Sequence, residues 1–196
     1  MGLVTLQEAV QTRALQMHLN GFFSEAKIGY RPFLSGQLLD RMTAFGVYEI
    51  GPSPVFEAWT YVTSGCWHVT AKIQHGVEFV LSASEPADRH IEVLALAAYY
   101  YAGPASQRLK LGDTVPIGGP WMNGGALDHE LVSLPYAYGP SFEHYKWRNG
   151  HGRLLSLIPI SAAERDYKIA HGVEALERLF ELRHVDFTDP LRESAL

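Results

Sequence analysis

The amino-acid sequence predicts a soluble α+β domain, and three observations carry that prediction. Residues 153–182 have the pattern of a buried strand followed directly by an amphipathic helix. Residues 55–82 contain three apolar segments separated by turn residues, a spacing that favours an antiparallel meander. No internal repeat, low-complexity tract or linker divides the 196 residues, so we expect one domain over residues 1–196.

The predicted central strand lies within residues 153–160 and is apolar on both faces. One face carries Leu155 and Leu157, and the other carries Leu154, Ile158 and Ile160. Strands that are buried on both faces have this pattern. Pro159 cannot donate to a neighbouring strand, so it should lie near the end of this one.

A helix is predicted to begin directly after this strand. Ser161 and Glu164 have capping-box spacing, in which the hydroxyl accepts from the third helical amide and the carboxylate accepts from the cap amide. The residues expected on the buried face of the helix are Ile169, Val173, Leu176 and Phe180. Gly172 marks a kink or a close contact along a helix that extends to Leu182.

The chain is also predicted to begin with a helix. Thr5 and Glu8 form a second capping-box pair, and Asn20-Gly21 is a stop signal. The apolar residues that recur at helical spacing between them are Leu6, Val10, Ala14 and Met17. Residues 22–46 have no pattern that assigns an element.

Strands are predicted over residues 55–62, 67–73 and 77–82. In the second of these, Trp67, Val69, Ala71 and Ile73 alternate with polar neighbours. Pro86 suits the first turn of a buried helix over residues 91–101. Further strands are expected at 114–117, 131–134 and 142–147, and the tail after Asp186 should be irregular.

Composition excludes several classes of function. The net charge of -5, with 16 basic residues and no evident basic cluster, argues against nucleic acid as a partner. Cys66 is the single cysteine, so there is no internal disulfide. The amino terminus lacks the features of a signal peptide, and the longest apolar run, 93–102, is too short to cross a membrane. We therefore expect a cytoplasmic protein.

No motif for catalysis, metal binding or cofactor binding is present. The nine histidines include no HExxH or HxH pattern, and Asp128-His129-Glu130 are adjacent residues that point in different directions. Cys66 would need a histidine brought to it by the fold, and no serine lies in a GxSxG motif. The glycines of residues 118–125 lack the lysine and helix of a phosphate-binding loop. We expect no catalytic residue, no metal and no cofactor.

Aromatic residues are concentrated in or beside predicted loops. The loop aromatics include Trp121, Tyr136, Tyr138, Tyr145 and Trp147. In loops, such side chains often anchor contacts with a protein partner. They can equally cover the core where a loop joins a strand, and the sequence does not choose between these two roles.

A series of short segments follows one order from about Trp59 to the carboxyl end. They are 63–65 (TSG), 77–81 (VEFVL), 111–118 (LGDTVPIG), 131–135 (LVSLP), 157–160 (LIPI) with Glu164, 171–176 (HGVEAL), and Asp186 with Arg192 and Ser194. Together they resemble the suppressor of fused domain family in its bacterial form, most clearly over residues 59–194. Cys66-Trp67 departs from the pattern, because a pair resembling methionine-serine or leucine-serine is expected there.

The resemblance implies an α+β fold with a central mixed, largely antiparallel sheet flanked by helices. It also implies a domain that holds another protein, such as a toxin domain or a peptide segment, without chemistry of its own. The animal relative grips a peptide partly by strand addition, in which a peptide joins the edge of a sheet. Trp59 and Tyr61 are candidates for that role, because they lie on the strand that matches an aromatic-rich strand of the animal protein. With the loop aromatics, the candidate partner-binding residues are Trp59, Tyr61, Trp121, Tyr136, Tyr138 and Trp147.

The first functional hypothesis is therefore a non-enzymatic immunity protein that binds and neutralises a cognate toxin in a bacterial polymorphic toxin system. The alternatives are a regulatory or scaffold protein that sequesters another partner, and a hydrolase with a histidine/carboxylate site. The hydrolase would require histidines such as His68, His75, His129 and His144 to converge. Neither nucleic acid nor membrane is expected as a partner.

Overall fold

The computed structural model describes residues 6–34, 36–42, 44–73 and 75–196. Its strands are β1 (Ile28–Pro32), β2 (Gly46–Ile50), β3 (Trp59–Ser64), β4 (His75–Ala83), β5 (Thr114–Pro116), β6 (Leu127–Ser133), β7 (His144–Trp147) and β8 (Gly150–Ser161). Its helices are α1 (Leu6–Phe22), α2 (Asp88–Tyr101), α3 (Pro140–Glu143), α4 (Ala162–His171) and α5 (Val173–Arg183), with 3₁₀ helices at Cys66–Ile73, Ala105–Gln107 and Tyr136–Tyr138.

Within these residues the strands form one mixed sheet in the order β1-β2-β3-β4-β8-β6-β5, with β7 paired to part of β8. β1 to β4 form an antiparallel meander, and β4 then pairs with β8 in parallel, with Phe79 opposite Leu155. β8 pairs antiparallel with β6 on its other edge. The structure confirms the predicted fold class, a mixed and largely antiparallel sheet flanked by helices.

Both faces of β8 are buried, as its sequence predicts. Leu155 and Leu157 pack on one face into a core with the apolar side of α2. On the opposite face, Leu154 joins a core formed with α1 and α3, while Ile158 and Ile160 pack against α5.

None of the helices in the described part of the chain is long and apolar enough to cross a membrane.

A buried carboxylate changes the predicted meander. The Glu78 side chain accepts hydrogen bonds from the Thr63 hydroxyl and from the backbone amides of Gly65, Cys66 and Trp67. These amides begin a 3₁₀ helix, Cys66–Ile73, so the prediction of a strand at 67–73 was wrong. Local alternation of apolar residues could not reveal an acceptor that lies on the next strand.

The second buried polar joint ties the tail to α4. Ser161 and Glu164 form the predicted capping box at the start of this helix. The Glu164 carboxylate also accepts from the Arg192 guanidinium, at 2.8 and 3.0 Å, and from the Ala195 amide. The side chain of Ser194 hydrogen-bonds Ser161. The tail after Asp186 is irregular, as predicted, but these contacts fix it against the sheet.

The predicted long helix is in fact two helices. Gly172 has φ of +91°, ends α4 and precedes α5. Leu176 and Phe180 of α5 are buried as expected, whereas Ile169 of α4 is 69% exposed because the chain changes direction between them.

The orientation of α1 also differs from the prediction. From residue 10 onward, where its side chains are described, α1 buries Gln11, Leu15 and Leu19, whereas Val10 and Met17 are exposed. The helix continues past Asn20-Gly21 to Phe22, and the capping residue Thr5 lies outside the described residues. β1 lies in the segment 22–46, for which the sequence assigned no element, and β2 begins at its last residue, Gly46.

Removing the cation of the tail joint should destabilise the protein strongly. Burial raises the pKa of Glu164, but the Arg192 guanidinium and the Ala195 and Ser161 amides outweigh it and hold that pKa below its ordinary value. In Arg192→Met the carboxylate stays buried without its cation. We expect the free energy of unfolding near neutral pH to fall by about 3–5 kcal/mol in urea titrations.

The control for this variant is Arg178→Met, which removes an exposed arginine from α5 and should change stability by less than about 0.5 kcal/mol. The stabilisation from a lowered carboxyl pKa is present above the unfolded pKa and is lost as the pH falls through the folded one. The deficit of Arg192→Met should therefore shrink in acid. An equal loss in both variants would contradict the role given to the Glu164–Arg192 pair.

Candidate functional site

A groove lined by aromatic residues opens on the face of the sheet that contacts α1 and α5. It consists of two adjoining cavities of about 520 and 330 Å³ that share Tyr136, Ile158 and Phe187. We call it the aromatic groove. Its other residues are Ser82, Ser133, Leu134, Ala137, Tyr138, Ser156, Leu157, Glu177, Phe180, Glu181, His184 and Val185.

The groove is assembled from three parts of the fold. β8 supplies Ile158 as its floor, and α5 supplies Phe180 as one wall. Phe187, on the tail that follows α5, packs edge-to-face on Phe180 with ring centroids 5.3 Å apart. Since the tail is held by the Glu164–Arg192 joint, the same contacts that stabilise the fold also shape this wall.

The 3₁₀ helix Tyr136–Tyr138 forms the remaining wall and presents one tyrosine to solvent. Pro135 precedes this helix, and Gly139 ends it with φ of +77°. The buried Tyr138 hydroxyl hydrogen-bonds Thr60 Oγ1 at 2.8 Å and Ser82 Oγ at 2.7 Å. This anchor leaves Tyr136 directed outward, with 66% of its surface exposed.

Two carboxylates give the aromatic groove a negative field. Glu177 and Glu181 of α5 line it, and Glu177 is fixed by a 2.9 Å hydrogen bond from the Ser133 hydroxyl. Desolvation, followed by the charges of Glu177, Glu143 and Glu181, raises the pKa of Tyr136. Among the described residues that line the groove there is no lysine or arginine. A positively charged partner segment would be attracted to this surface.

The structure places the six candidate partner-binding residues in different environments. Tyr136 and Tyr138 come together in the aromatic groove. Tyr61 and Trp121 are fully buried, and the Trp121 indole donates to His90 Nδ1 at 3.0 Å. Trp59 is half-buried against the α2-side core, and Trp147 packs against the α1-side core. Direct partner contact by any of the six stays a prediction.

Sequence reasoning did not identify the other walls of the groove. Phe180 was assigned to the core, and Phe187 lies in a segment that was expected to be irregular. Glu177 and Glu181 fall four residues apart on α5, a spacing that places two side chains on one helix face. That spacing was the available signal, but it does not reveal which surface lies opposite.

Strand addition cannot occur at the strand where the resemblance placed it. β3 pairs with β2 on one edge and with β4 on the other, so Trp59 and Tyr61 lie on an interior strand. Over the described residues the outer strands of the sheet are β1, β5 and β7, each of which pairs with one neighbour. β1 carries Pro32, which has no amide hydrogen to donate to an incoming strand.

Three of the histidines named for the hydrolase, His68, His129 and His144, have different neighbours in the described part of the chain. His129 Nδ1 lies 2.7 Å from Asp128, and its Nε2 lies 2.9 Å from the Arg165 guanidinium, which can only donate. Both nitrogens of that ring are therefore occupied. The His144 and His151 rings meet edge-to-face, with centroids 6.3 Å apart, and His68 stacks on Trp67. No group of three or more His, Cys, Asp or Glu side chains able to hold a metal occurs among the described residues.

The remaining titratable groups in the core are closed to substrate. Cys66 is fully buried, and burial raises the pKa of its thiol. Burial also raises the pKa of Glu78 to about 7, although four hydrogen bonds favour its charged form. Glu130 is fully buried, and neither carboxyl oxygen has a hydrogen-bond partner among the described residues.

The chain is similar to known proteins in both sequence and fold. A family model described as Suppressor of fused protein (SUFU) matches residues 43–193. A crystal structure described as that of a SUFU (suppressor of fused protein) homologue from Neisseria gonorrhoeae FA 1090 is similar over 95% of this chain and 96% of that chain, with 32% sequence identity and a TM-score of 0.80. A search of curated proteins found no match.

Two further structures share the fold at lower sequence identity. The crystal structure of the Sufu-Fu complex matches 94% of this chain and 91% of that chain, at 12% identity and a TM-score of 0.69. Drosophila Suppressor of Fused matches 93% of this chain and 50% of that chain, at 14% identity and a TM-score of 0.65.

Replacing the unpartnered Glu130 with methionine should stabilise the protein. Burial raises the pKa of Glu130 well above its ordinary value, so the folded chain keeps a proton that the unfolded chain releases above about pH 4.3. The stability of the original protein should therefore fall as the pH rises above that value. We expect Glu130→Met to raise the free energy of unfolding by about 1–4 kcal/mol near pH 8.

The increase in the free energy of unfolding caused by Glu130→Met should be smaller near pH 5. At that pH, protonating this carboxyl in the unfolded chain costs less free energy than at pH 8. Urea unfolding at both pH values measures this difference. Glu174→Met, at an exposed position of α5, is the control and should show no pH-dependent gain. A destabilised Glu130→Met at both pH values would mean that the carboxyl has a stabilising partner.

Proposed function

This chain belongs to the suppressor of fused family, and from that premise we propose that it is a protein-binding domain that neutralises a cognate toxin by holding it in the aromatic groove. Partner binding is a property of this fold in at least one relative, since the Sufu-Fu structure is a complex. The immunity role extends that property to a toxin domain, as the resemblance to the bacterial form implies. It would be exercised in the cytoplasm and needs no bond-making chemistry.

The single observation that carries the proposal is the accessible aromatic surface of the groove. Tyr136 is 66% exposed beside an apolar floor and opposite the Phe180–Phe187 pair. Tyrosines that sit in a well-packed apolar pocket at the centre of an interface contribute most of the binding energy in many complexes. The combined cavity has room for large side chains of a partner segment.

The negative charge of the aromatic groove favours a partner segment that is positively charged. Glu177 and Glu181 stand at one wall, and the chain as a whole carries a net charge of -5. A toxin segment that presents lysine or arginine around an apolar side chain fits both features. Long-range attraction would speed association, which suits a protein that must reach its toxin before damage occurs.

A regulatory or scaffold role uses the same surface and differs only in the identity of the partner. For that reason the toxin partner has to be tested directly. No contact among the described residues favours the hydrolase hypothesis over these two.

The test is co-expression with the toxic carboxyl-terminal domain of any large secreted protein that a neighbouring gene encodes. We expect the original chain to restore growth and to form a complex in a pull-down. Tyr136→Ala should weaken the complex by about 2 kcal/mol or more in isothermal titration calorimetry and should reduce rescue. Glu177→Gln with Glu181→Gln should slow association and weaken its dependence on salt.

The matched control is Tyr100→Ala, because Tyr100 is a comparably exposed tyrosine, at 42%, on α2 and outside the groove. It should bind and rescue like the original. Absence of both rescue and complex would overturn the immunity role. A complex that tolerates Tyr136→Ala as well as Tyr100→Ala would move the binding surface away from the aromatic groove.

A further inference from the structure

A second groove lies between α1 and β7 and has the opposite charge. It encloses about 600 Å³. We define the α1–β7 groove by the residues that determine its character, which are Val10, Arg13, Met17, His18, Lys146 and Trp147. None of the toxin-binding argument above uses these residues.

The apolar side chains of this groove are exposed to water, which is energetically unfavourable. Met17 is 62% exposed and Val10 is 42% exposed, whereas the polar Gln11 on the opposite side of α1 is 1% exposed. The Gln11 side-chain oxygen has no hydrogen-bond partner among the described residues. An amphipathic helix normally buries its apolar side chains and exposes its polar ones. Exposed methionine and valine beside a buried glutamine are therefore expected where the apolar side chains contact a binding partner.

The groove is otherwise well ordered by its neighbours. Trp147 packs partly into the α1-side core, so its indole forms a fixed wall. His18 is held by a 2.9 Å hydrogen bond between its Nε2 and the Phe142 carbonyl. The groove is therefore a preformed surface, which lowers the entropic cost of binding.

Positive charge surrounds this apolar surface. Arg13 on α1 and Lys146 on β7 are both exposed and stand on opposite sides of the groove. Arg148, in the turn that follows Trp147, is also exposed. The described lining residues include no carboxylate. In a chain of net charge -5, this is a local reversal of sign.

We propose that the α1–β7 groove docks an acidic segment of a protein, in which one or two large apolar side chains are flanked by aspartate or glutamate. The apolar side chains would cover Met17 and pack against Trp147, and the carboxylates would meet Arg13 and Lys146. A nucleic acid fits less well, because phosphate binding needs many closely spaced cations and gains little from exposed methionine and valine.

A random-peptide display library, selected on the whole chain, tests this proposal without knowledge of the natural partner. Arg13→Glu with Lys146→Glu serves for counter-selection. Lys27→Glu with Lys110→Glu, at exposed positions outside the groove, makes the same change in net charge. Selected peptides are then measured by fluorescence polarisation against each variant, against Met17→Gln, and at several salt concentrations.

We expect enriched peptides to carry aspartate or glutamate beside an aromatic or aliphatic residue. Their affinity should fall by about tenfold or more in the Arg13→Glu and Lys146→Glu variant, and should also fall in Met17→Gln. It should be unchanged within about twofold in the Lys27→Glu and Lys110→Glu control.

Three outcomes would overturn the proposal. The first is selection that enriches no peptides, or peptides without acidic bias. The second is equal weakening in the groove variant and the matched control. The third is tight binding of a single-stranded oligonucleotide, or of phosphatidylserine vesicles, that depends on Arg13 and Lys146 while acidic peptides do not bind. The aromatic-groove variants play no part in this test, so its failure leaves the proposed toxin-binding function to be judged separately.

Discussion

The pairing of β8 on both edges, with both faces buried, is the constraint on which the rest of the structure depends. β4 pairs with it in parallel and β6 in antiparallel fashion. A parallel pair needs a long crossover connection, so α2, β5, β6 and β7 all lie between these two strands in sequence. α2 covers one face of the sheet, and α1 and α5 cover the other, because a strand apolar on both sides has to be covered twice.

Two buried carboxylates fix the elements that surround this strand. Glu78 gathers the backbone amides at the start of the 3₁₀ helix, and Glu164 joins a helix start to Arg192 in the tail. Both residues belong to the segments that carry the resemblance to the suppressor of fused family. In this chain Glu78 and Glu164 make contacts within the fold, so the segments that contain them say little about which partner is bound.

The two proposed partner surfaces lie beside these joints, on the face of the sheet that α1 partly covers. The residues from Tyr136 to Phe142 separate the two grooves. Tyr136 and Tyr138 line the acidic aromatic groove, while the Phe142 carbonyl holds His18 of the basic α1–β7 groove. If both proposals hold, two apolar grooves of opposite charge would make this face selective, because a segment attracted to one would be repelled by the other.

The sequence by itself determined β8, the capping box at Ser161, the buried helix α2 and the family, because these depend on local periodicity, local hydrogen bonds or short ordered motifs. It also named six aromatic candidates for partner contact, a role that stays a prediction, and did not show that Tyr136 and Tyr138 line one groove. Tertiary structure alone decided the 3₁₀ helix, whose amides bind Glu78 more than ten residues away, and the rotation of α1 that exposes Met17. An apolar period shows which residues could be buried, but whether a neighbour covers them depends on distant packing, so the grooves could not be found from the sequence.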